Sequence, residues 1–71
     1  MGEKAIFEYL ASGAIKGIRA GLARQIMAKF GADALEVIEK EPERLGELRG
    51  VTPKRARAIG EAFREQMGMR R

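Results

Sequence analysis

The sequence contains no cysteine, histidine or tryptophan, and Asp33 is its single aspartate. Without cysteine the chain has neither a disulfide framework nor a thiolate metal site. Without cysteine and histidine, the usual nucleophile–base pairs and metal-ligand clusters of enzymes cannot be assembled. A chain of 71 residues also leaves little room for a pocket that would enclose a substrate base. These absences predict a non-catalytic protein that uses no cofactor and no metal.

Long apolar runs are missing as well, which excludes a membrane-spanning helix. The N-terminus lacks the basic-then-apolar layout of a signal peptide, and Ile6 stands where a myristoylation motif has Ser or Thr. Hydrophobic residues make up 45% of the chain and charged residues 34%, as in ordinary folded domains. We therefore expect one small, soluble, cytoplasmic domain over residues 1–71.

Charge is unevenly distributed along the chain, whose net charge is +4. Two stretches hold basic residues and no acids: one lies between Tyr9 and Ala32, the other between Arg49 and Gly60. The connector between them, Asp33–Leu48, holds six acids against two bases. This segregation favours two cationic surfaces that face one anionic partner. A merely solvated surface is the alternative that charge alone leaves open.

A repeat with a period of 33 residues relates the two basic stretches. Five identical pairs and three conservative pairs fall together under this shift: Gly17/Gly50, Ala23/Ala56, Arg24/Arg57, Ile26/Ile59, Phe30/Phe63, Ile15/Leu48, Lys16/Arg49 and Ile18/Val51. A period of this length is typical of a duplicated supersecondary unit. The sequence thus predicts two copies of one unit, the first over about residues 3–31 and the second over about 42–68, joined by a connector helix over about 33–41.

Apolar residues recur at three- and four-residue spacing, and no stretch alternates with a period of two, so the predicted fold class is all-α. Five short helices are expected, near Glu3–Ala11, Ala20–Phe30, Asp33–Glu41, Pro42–Leu48 and from Thr52 onwards. Their predicted ends rest on local signals. These are a left-handed cap at Gly31, a capping box of Asp33 with Glu36, and a Thr52 cap followed by Pro53.

A glycine turn precedes a helix in each copy, over residues 15–20 and 48–53. Glycine permits a sharp turn and removes the side chain that would hold a ligand away from the backbone. The following helix begins with unpartnered N–H groups at the positive end of its dipole. Together with flanking cations, each turn is a candidate phosphate site. Ile18 and Val51 are expected to point inward and anchor the turns.

At this point the sequence resembles the tandem helix-hairpin-helix family, whose hairpin reads Gly-apolar-Gly, then Pro or a small residue, with an alanine a few positions later. The counterparts are Gly17-Ile18-Arg19-Ala20 with Ala23, and Gly50-Val51-Thr52-Pro53 with Ala56. More narrowly, residues 9–18, 29–31 and 37–45 are similar to the N-terminal helix-hairpin-helix region of long-form RecD-like (TraA-type) DNA helicases, or exodeoxyribonuclease V alpha subunits. The resemblance covers about residues 7–66.

The resemblance implies a SAM-like fold of two pseudo-symmetric units and an accessory role in a helicase or a recombination or repair protein. It also implies that backbone amides and basic side chains contact DNA phosphates across a minor groove without reading bases. The expected DNA-binding residues in this sequence are Gly17, Ile18, Arg19, Gly21, Arg24, Arg49, Gly50, Val51, Thr52, Lys54, Arg55 and Arg57.

Two departures from the family pattern make the turns unequal. Arg19 and Thr52 occupy the positions of the second hairpin glycine. Thr52 can cap its helix or approach a phosphate, whereas Arg19 places a bulky side chain where the backbone should come close to DNA. The second turn is therefore expected to be the better phosphate binder. The missing glycines also support an alternative, a degenerate tandem that serves as a protein-interaction or dimerisation module.

Overall fold

Four α-helices form the part of the chain that the computed structural model describes, residues 2–68, and no strand occurs in that part. The helices are α1 (Glu3–Ala11), α2 (Ala20–Phe30), α3 (Ala34–Lys40) and α4 (Pro53–Gln66). Two 3-10 helices, Gly31–Asp33 and Pro42–Glu47, complete the set. The all-α prediction is confirmed. The expected count of five α-helices is wrong by one, because the short segment after Pro42 is a 3-10 helix.

The bounds predicted for α1 and α2 are confirmed. Helix α1 buries Ile6 and Leu10 and ends before Ser12, whose backbone N–H donates to the Tyr9 carbonyl. Helix α2 buries an apolar face that includes Ile26 and Phe30. Three- and four-residue spacing places these side chains on one side of each helix, so the two helices can cover each other's apolar stripe.

The link from α2 to α3 differs from the prediction. Gly31 has the expected positive φ of 54°, but its ψ of −131° is outside the left-handed helical region, and a 3-10 turn follows at once. Helix α2, this 3-10 turn and α3 follow one another with no loop residue between them, over residues 20–40. The capping box is wrong: Asp33 has φ −87° and ψ 2°, and its side chain makes no cap hydrogen bond. An N-cap residue needs extended backbone to direct its oxygen at the next turn, and Asp33 is already part of the 3-10 turn.

The start of α4 is as predicted. Thr52 has extended backbone, and its hydroxyl oxygen accepts a hydrogen bond from the Arg55 N–H at 3.1 Å. Pro53 occupies the first turn, where its missing N–H costs no helical bond. Near the C-terminal ends of both helices, the Arg64 guanidinium donates to the Glu39 carbonyl at 3.3 Å. This hydrogen bond joins α4 to α3.

One apolar core unites all these elements, and no polar or charged residue is buried within residues 2–68. Its largest fully buried side chains come from every part of the fold: Leu10, Ile15, Ile18, Ile26, Ile38, Leu45 and Ile59. The Cα radius of gyration is 10.9 Å, close to the ~11 Å expected for a folded chain of this length. No helix in the described part of the chain is long and apolar enough to cross a membrane.

Two helical glycines predict opposite responses to one substitution. A Cβ built at Gly60 would lie 2.5 Å from Pro42 Cβ and 2.7 Å from its Cγ, whereas a Cβ at Gly21 meets nothing within 4 Å. We expect Gly60→Ala to destabilise the fold by about 1–3 kcal/mol through overpacking against a rigid ring. Gly21→Ala should stabilise it by up to about 1 kcal/mol, because alanine favours the helix.

Urea denaturation followed by circular dichroism would measure both changes in the free energy of unfolding. Each variant serves as the other's control, since both substitutions add one methyl group to an α-helix. Equal effects of the two substitutions would contradict the close approach of Pro42 to α4.

Candidate functional site

The two glycine turns have the same hydrogen-bond pattern. In the first turn, residues 15–20, the Ile18 N–H donates to the Ile15 carbonyl at 3.1 Å; in the second, residues 48–53, the Val51 N–H donates to the Leu48 carbonyl at 3.2 Å. The helix that follows each turn opens in the same way, with N···O distances of 2.8 Å from Ala23 to Arg19 and 2.9 Å from Ala56 to Thr52. Each hydrogen bond of the first unit thus has a counterpart 33 residues later in the second. The sequence repeat therefore corresponds to a repeat in backbone structure.

Gly17 and Gly50 provide the left-handed residue of each turn. Their φ angles are 99° and 80°, in a region of backbone conformation that residues other than glycine rarely adopt. Gly17 has a second constraint, because a Cβ there would lie 3.1 Å from Ile59 Cγ1, on α4. The first turn therefore rests directly on the helix that belongs to the second.

Ile18 and Val51 anchor the turns, as expected. Their side chains are buried, with exposed fractions of 1% and 6%. Their N–H groups are already bonded within the turns, so neither residue offers a free donor. Both residues are among the DNA-binding residues expected from the sequence. In the structure their side chains lie in the core beneath the turns.

The two helix starts differ in what they offer to an anion. At α2, Arg19 supplies no cap, and the N–H groups of Ala20, Gly21 and Leu22 donate to no other described residue. At α4, Pro53 has no N–H and Arg55 donates to Thr52, which leaves the N–H of Lys54. The first turn therefore has more free backbone donors. The free N–H groups of Ala20 and Leu22 were not singled out from the sequence, although an uncapped helix start was the available signal.

Cationic side chains surround both turns. Seven of them are exposed and take part in no ion pair with another residue of the described chain: Lys16, Arg19, Arg24, Arg49, Lys54, Arg55 and Arg57. Lys29 is different, since its Nζ lies 3.4 Å from Glu47 Oε1. Lys54 and Arg57 are three residues apart on α4 and share one exposed face of the helix.

Arg55 joins the two turns. Its Nη2 donates to the Gly17 carbonyl at 3.1 Å and its Nη1 to the Gly50 carbonyl at 3.4 Å. The carbonyls of both left-handed glycines therefore lie within the span of one guanidinium group, which places the turns side by side. The sequence predicted Arg55 as a phosphate contact and gave no sign of this bridge, because Gly17 is 38 residues away.

The acidic connector uses part of its charge internally. Arg44 lies 3.4 Å from Glu41 and 3.9 Å from Glu47, and its guanidinium carbon is 5.1 Å from the centre of the Phe30 ring. Lys40 lies 3.8 Å from Glu36. These exposed pairs contribute little to stability, but they keep the basic residues of the connector beside its own acids.

Among the depressions in the described surface, three bear on the location of a binding site. One of about 460 Å³ is lined by the first turn and includes Lys16 and Arg19. A groove of about 350 Å³ between the first turn and α4 holds Lys16 and Arg55 on one part of its wall and carboxylates on another. An apolar hollow of about 520 Å³ lies elsewhere, lined by Tyr9, Leu35, Glu36, Glu39, Lys40, Phe63 and Met67. The first two adjoin the glycine turns, and the third is separate from them.

No family model matches the chain, and neither the curated proteins nor the solved structures include a match. Among residues 2–68 no group of three or more carboxylates is arranged to hold a metal ion. Exposed cations flank both glycine turns, which makes the pair of turns the candidate site of this surface.

Proposed function

We propose that this chain is a non-catalytic DNA-binding module that holds the phosphate backbone through two helix-hairpin-helix units. Each unit consists of a helix, a glycine turn and the helix that follows: α1, the first turn and α2 in one unit, and the 3-10 helix Pro42–Glu47, the second turn and α4 in the other. The resemblance to the helicase-associated tandem family supports a role as an accessory domain of a larger DNA helicase or of a recombination or repair protein. The principal partner is DNA, in a duplex or duplex-containing form.

One observation carries the proposal: two turns with the same backbone hydrogen bonds lie side by side and share the Arg55 guanidinium. Each turn leads into a helix N-terminus, where partial positive charge attracts anions. DNA presents anions at regular intervals, so a duplicated anion site suits a repeating phosphate backbone better than it suits a single small anion.

The proposed binding is independent of base sequence. Phosphate contacts fix the position of a protein on DNA but carry no sequence information. Direct readout of bases requires side chains that reach the edges of base pairs in a groove, and no helix among residues 2–68 presents a row of Asn, Gln and Arg for that purpose. Base stacking is disfavoured too, since Phe30 and Phe63 belong to the core.

The two turns contribute differently. The first offers the free N–H groups of Ala20, Gly21 and Leu22. The second offers the cations Lys54 and Arg57, together with the Thr52 hydroxyl, which accepts from the Arg55 N–H and can still donate its own proton. The sequence predicts that the second turn is the better phosphate binder; with the backbone donors included, we propose that both turns bind.

Fluorescence anisotropy with a labelled duplex tests the proposal. If about four to six phosphates are neutralised, the logarithm of the affinity should fall with the logarithm of the salt concentration at a slope of roughly −4 to −5. Duplexes of unrelated sequence should bind equally. Absence of binding at low salt, or binding that salt does not weaken, would contradict the proposal.

A second candidate function is a protein-interaction or dimerisation module. The apolar hollow lined by Tyr9, Leu35, Phe63 and Met67 favours it, because Met67 is 55% exposed and exposed apolar patches often mark interaction sites. Sedimentation of the chain without DNA separates the two functions. Self-association at micromolar concentration, combined with no affinity for duplex, would support this second function.

A further inference from the structure

We propose that Arg55 is a positioning residue that fixes the spacing of the two glycine turns, so that both can engage one DNA backbone at the same time. This inference rests on the proposed function. It assigns Arg55 a role different from that of its neighbour Lys54, although both are exposed cations near the N-terminus of α4.

The bridge from Arg55 spans the two units. Within its own unit, the side chain reaches the Gly50 carbonyl at 3.4 Å; across the unit boundary, it reaches the Gly17 carbonyl at 3.1 Å. Its backbone N–H is held by the Thr52 hydroxyl. Arg55 is thus bonded to both turns and to the cap of α4, so it couples the position of the first turn to the start of α4.

The bridge also alters the electrostatics of the surface. Carbonyl oxygens of Gly17 and Gly50 carry partial negative charge, which would repel a nearby phosphate. Hydrogen bonds from a guanidinium are charge-assisted and direct positive charge at these two oxygens. With the carbonyls covered, the N–H groups at the start of α2 and at Lys54, which donate to no other described residue, are among the backbone groups left to an anion.

Only arginine can make this bridge with one side chain. A guanidinium holds its donors in a rigid planar fork, so Nη1 and Nη2 can serve two acceptors at once, whereas the lysine ammonium is a single flexible point charge. The matching position in the first unit is Leu22, which is buried. The bridge is therefore a feature of the second unit alone and breaks the symmetry of the repeat.

Arg55→Lys, Arg55→Ala and the control Lys54→Ala test the assignment in the full chain. Without DNA, the amide signals of Ile18 and Val51 report the bridge, since each amide belongs to the same peptide group as a bridged carbonyl. With labelled duplex, affinity and salt slope report how many phosphates are engaged. Circular dichroism verifies that each variant is folded.

Both Arg55 variants are expected to shift the two amide signals, and to weaken duplex binding at least about tenfold more than Lys54→Ala does, because the turns no longer bind as a linked pair. They should reduce the magnitude of the salt slope by about two or more. Lys54→Ala should leave the Ile18 amide in place and reduce the slope by about one, as for loss of a single phosphate contact.

Arg55→Lys with the affinity and slope of the unchanged chain would overturn the assignment, because charge alone would then suffice. Duplex binding by the unchanged chain together with unmoved amides in Arg55→Ala would overturn the bridge and leave the proposed function standing. Failure of the unchanged chain to bind duplex would overturn the proposed function itself, and with it the role of Arg55 in DNA binding.

Discussion

Replacing Lys54 and Arg57 together by glutamate is expected to weaken duplex binding about a hundredfold at low salt, if each reversed charge costs roughly 1.4 kcal/mol next to phosphates. Both side chains are exposed on one face of α4 directly after the second turn. Neither has an ion-pair partner among residues 2–68. The loss should therefore arise at the DNA surface with no change in the fold. Fluorescence anisotropy would measure the affinity.

A matched control reverses two cations outside the turns. Lys4→Glu with Lys40→Glu changes the net charge by the same amount, at exposed positions on α1 and α3. This control should lower the affinity only by the long-range effect of net charge, which salt at about 0.1 M screens beyond about 10 Å, so the two double variants are also compared at that salt concentration. Equal losses in the two double variants would show that total charge, not the turns, governs binding.

Gly17→Ala is expected to destabilise the fold by about 2–4 kcal/mol, a large fraction of the stability of a small domain. Its φ of 99° is strained for alanine, and the added Cβ would meet Ile59 Cγ1 at 3.1 Å. Ile59 is 1% exposed and β-branched, so its side chain has little freedom to move aside. Urea denaturation would give the change in the free energy of unfolding.

Gly50→Ala is the control that separates strain from crowding. Gly50 has a φ of 80°, but a Cβ there meets nothing within 4 Å. Only the cost of the left-handed backbone applies, about 1–2 kcal/mol, reduced somewhat because alanine also restricts the unfolded chain. If Gly17→Ala cost no more than Gly50→Ala, the first turn would not lie against α4 as described.

The repeat made much of this arrangement predictable. Gly17 and Gly50 align at the 33-residue shift, and the structure gives both the same turn with a positive φ. Helix α2 has the predicted bounds, Ala20–Phe30, because an amphipathic stripe runs up to a glycine. Such signals are local or periodic, and a single sequence displays both kinds.

The errors came from segments where a local signal met a constraint from the surrounding fold. Asp33 and Glu36 have the spacing of a capping box, but a capping box requires the helix to begin afresh after an extended residue. In this fold the 3-10 turn Gly31–Asp33 links α2 directly to α3, so Asp33 keeps nearly helical backbone. A short segment after proline can form either an α-helix or a 3-10 helix, and its sequence does not distinguish the two. The segment Pro42–Glu47 is a 3-10 helix where the sequence predicts an α-helix.

Contacts between distant residues could not be read from the sequence. The bridge from Arg55 to Gly17 depends on how the two units dock, which no local pattern encodes. For the close packing at Gly60 the sequence holds a weak signal. The 33-residue shift pairs this glycine with Met27, so the two units differ greatly in side-chain size at this position. The reason is the Pro42 ring, which occupies the space of a side chain at Gly60.

Titration of the ¹⁵N-labelled chain with a short duplex, followed by amide chemical shifts, tests the central claim most directly. Simultaneous binding by both turns predicts that the amides of residues 17–22 and those of residues 50–52, 54 and 55 shift together, with one common affinity, and that added salt reverses both sets of shifts. Shifts confined to one turn, or concentrated in the acidic segment 33–48, would contradict it.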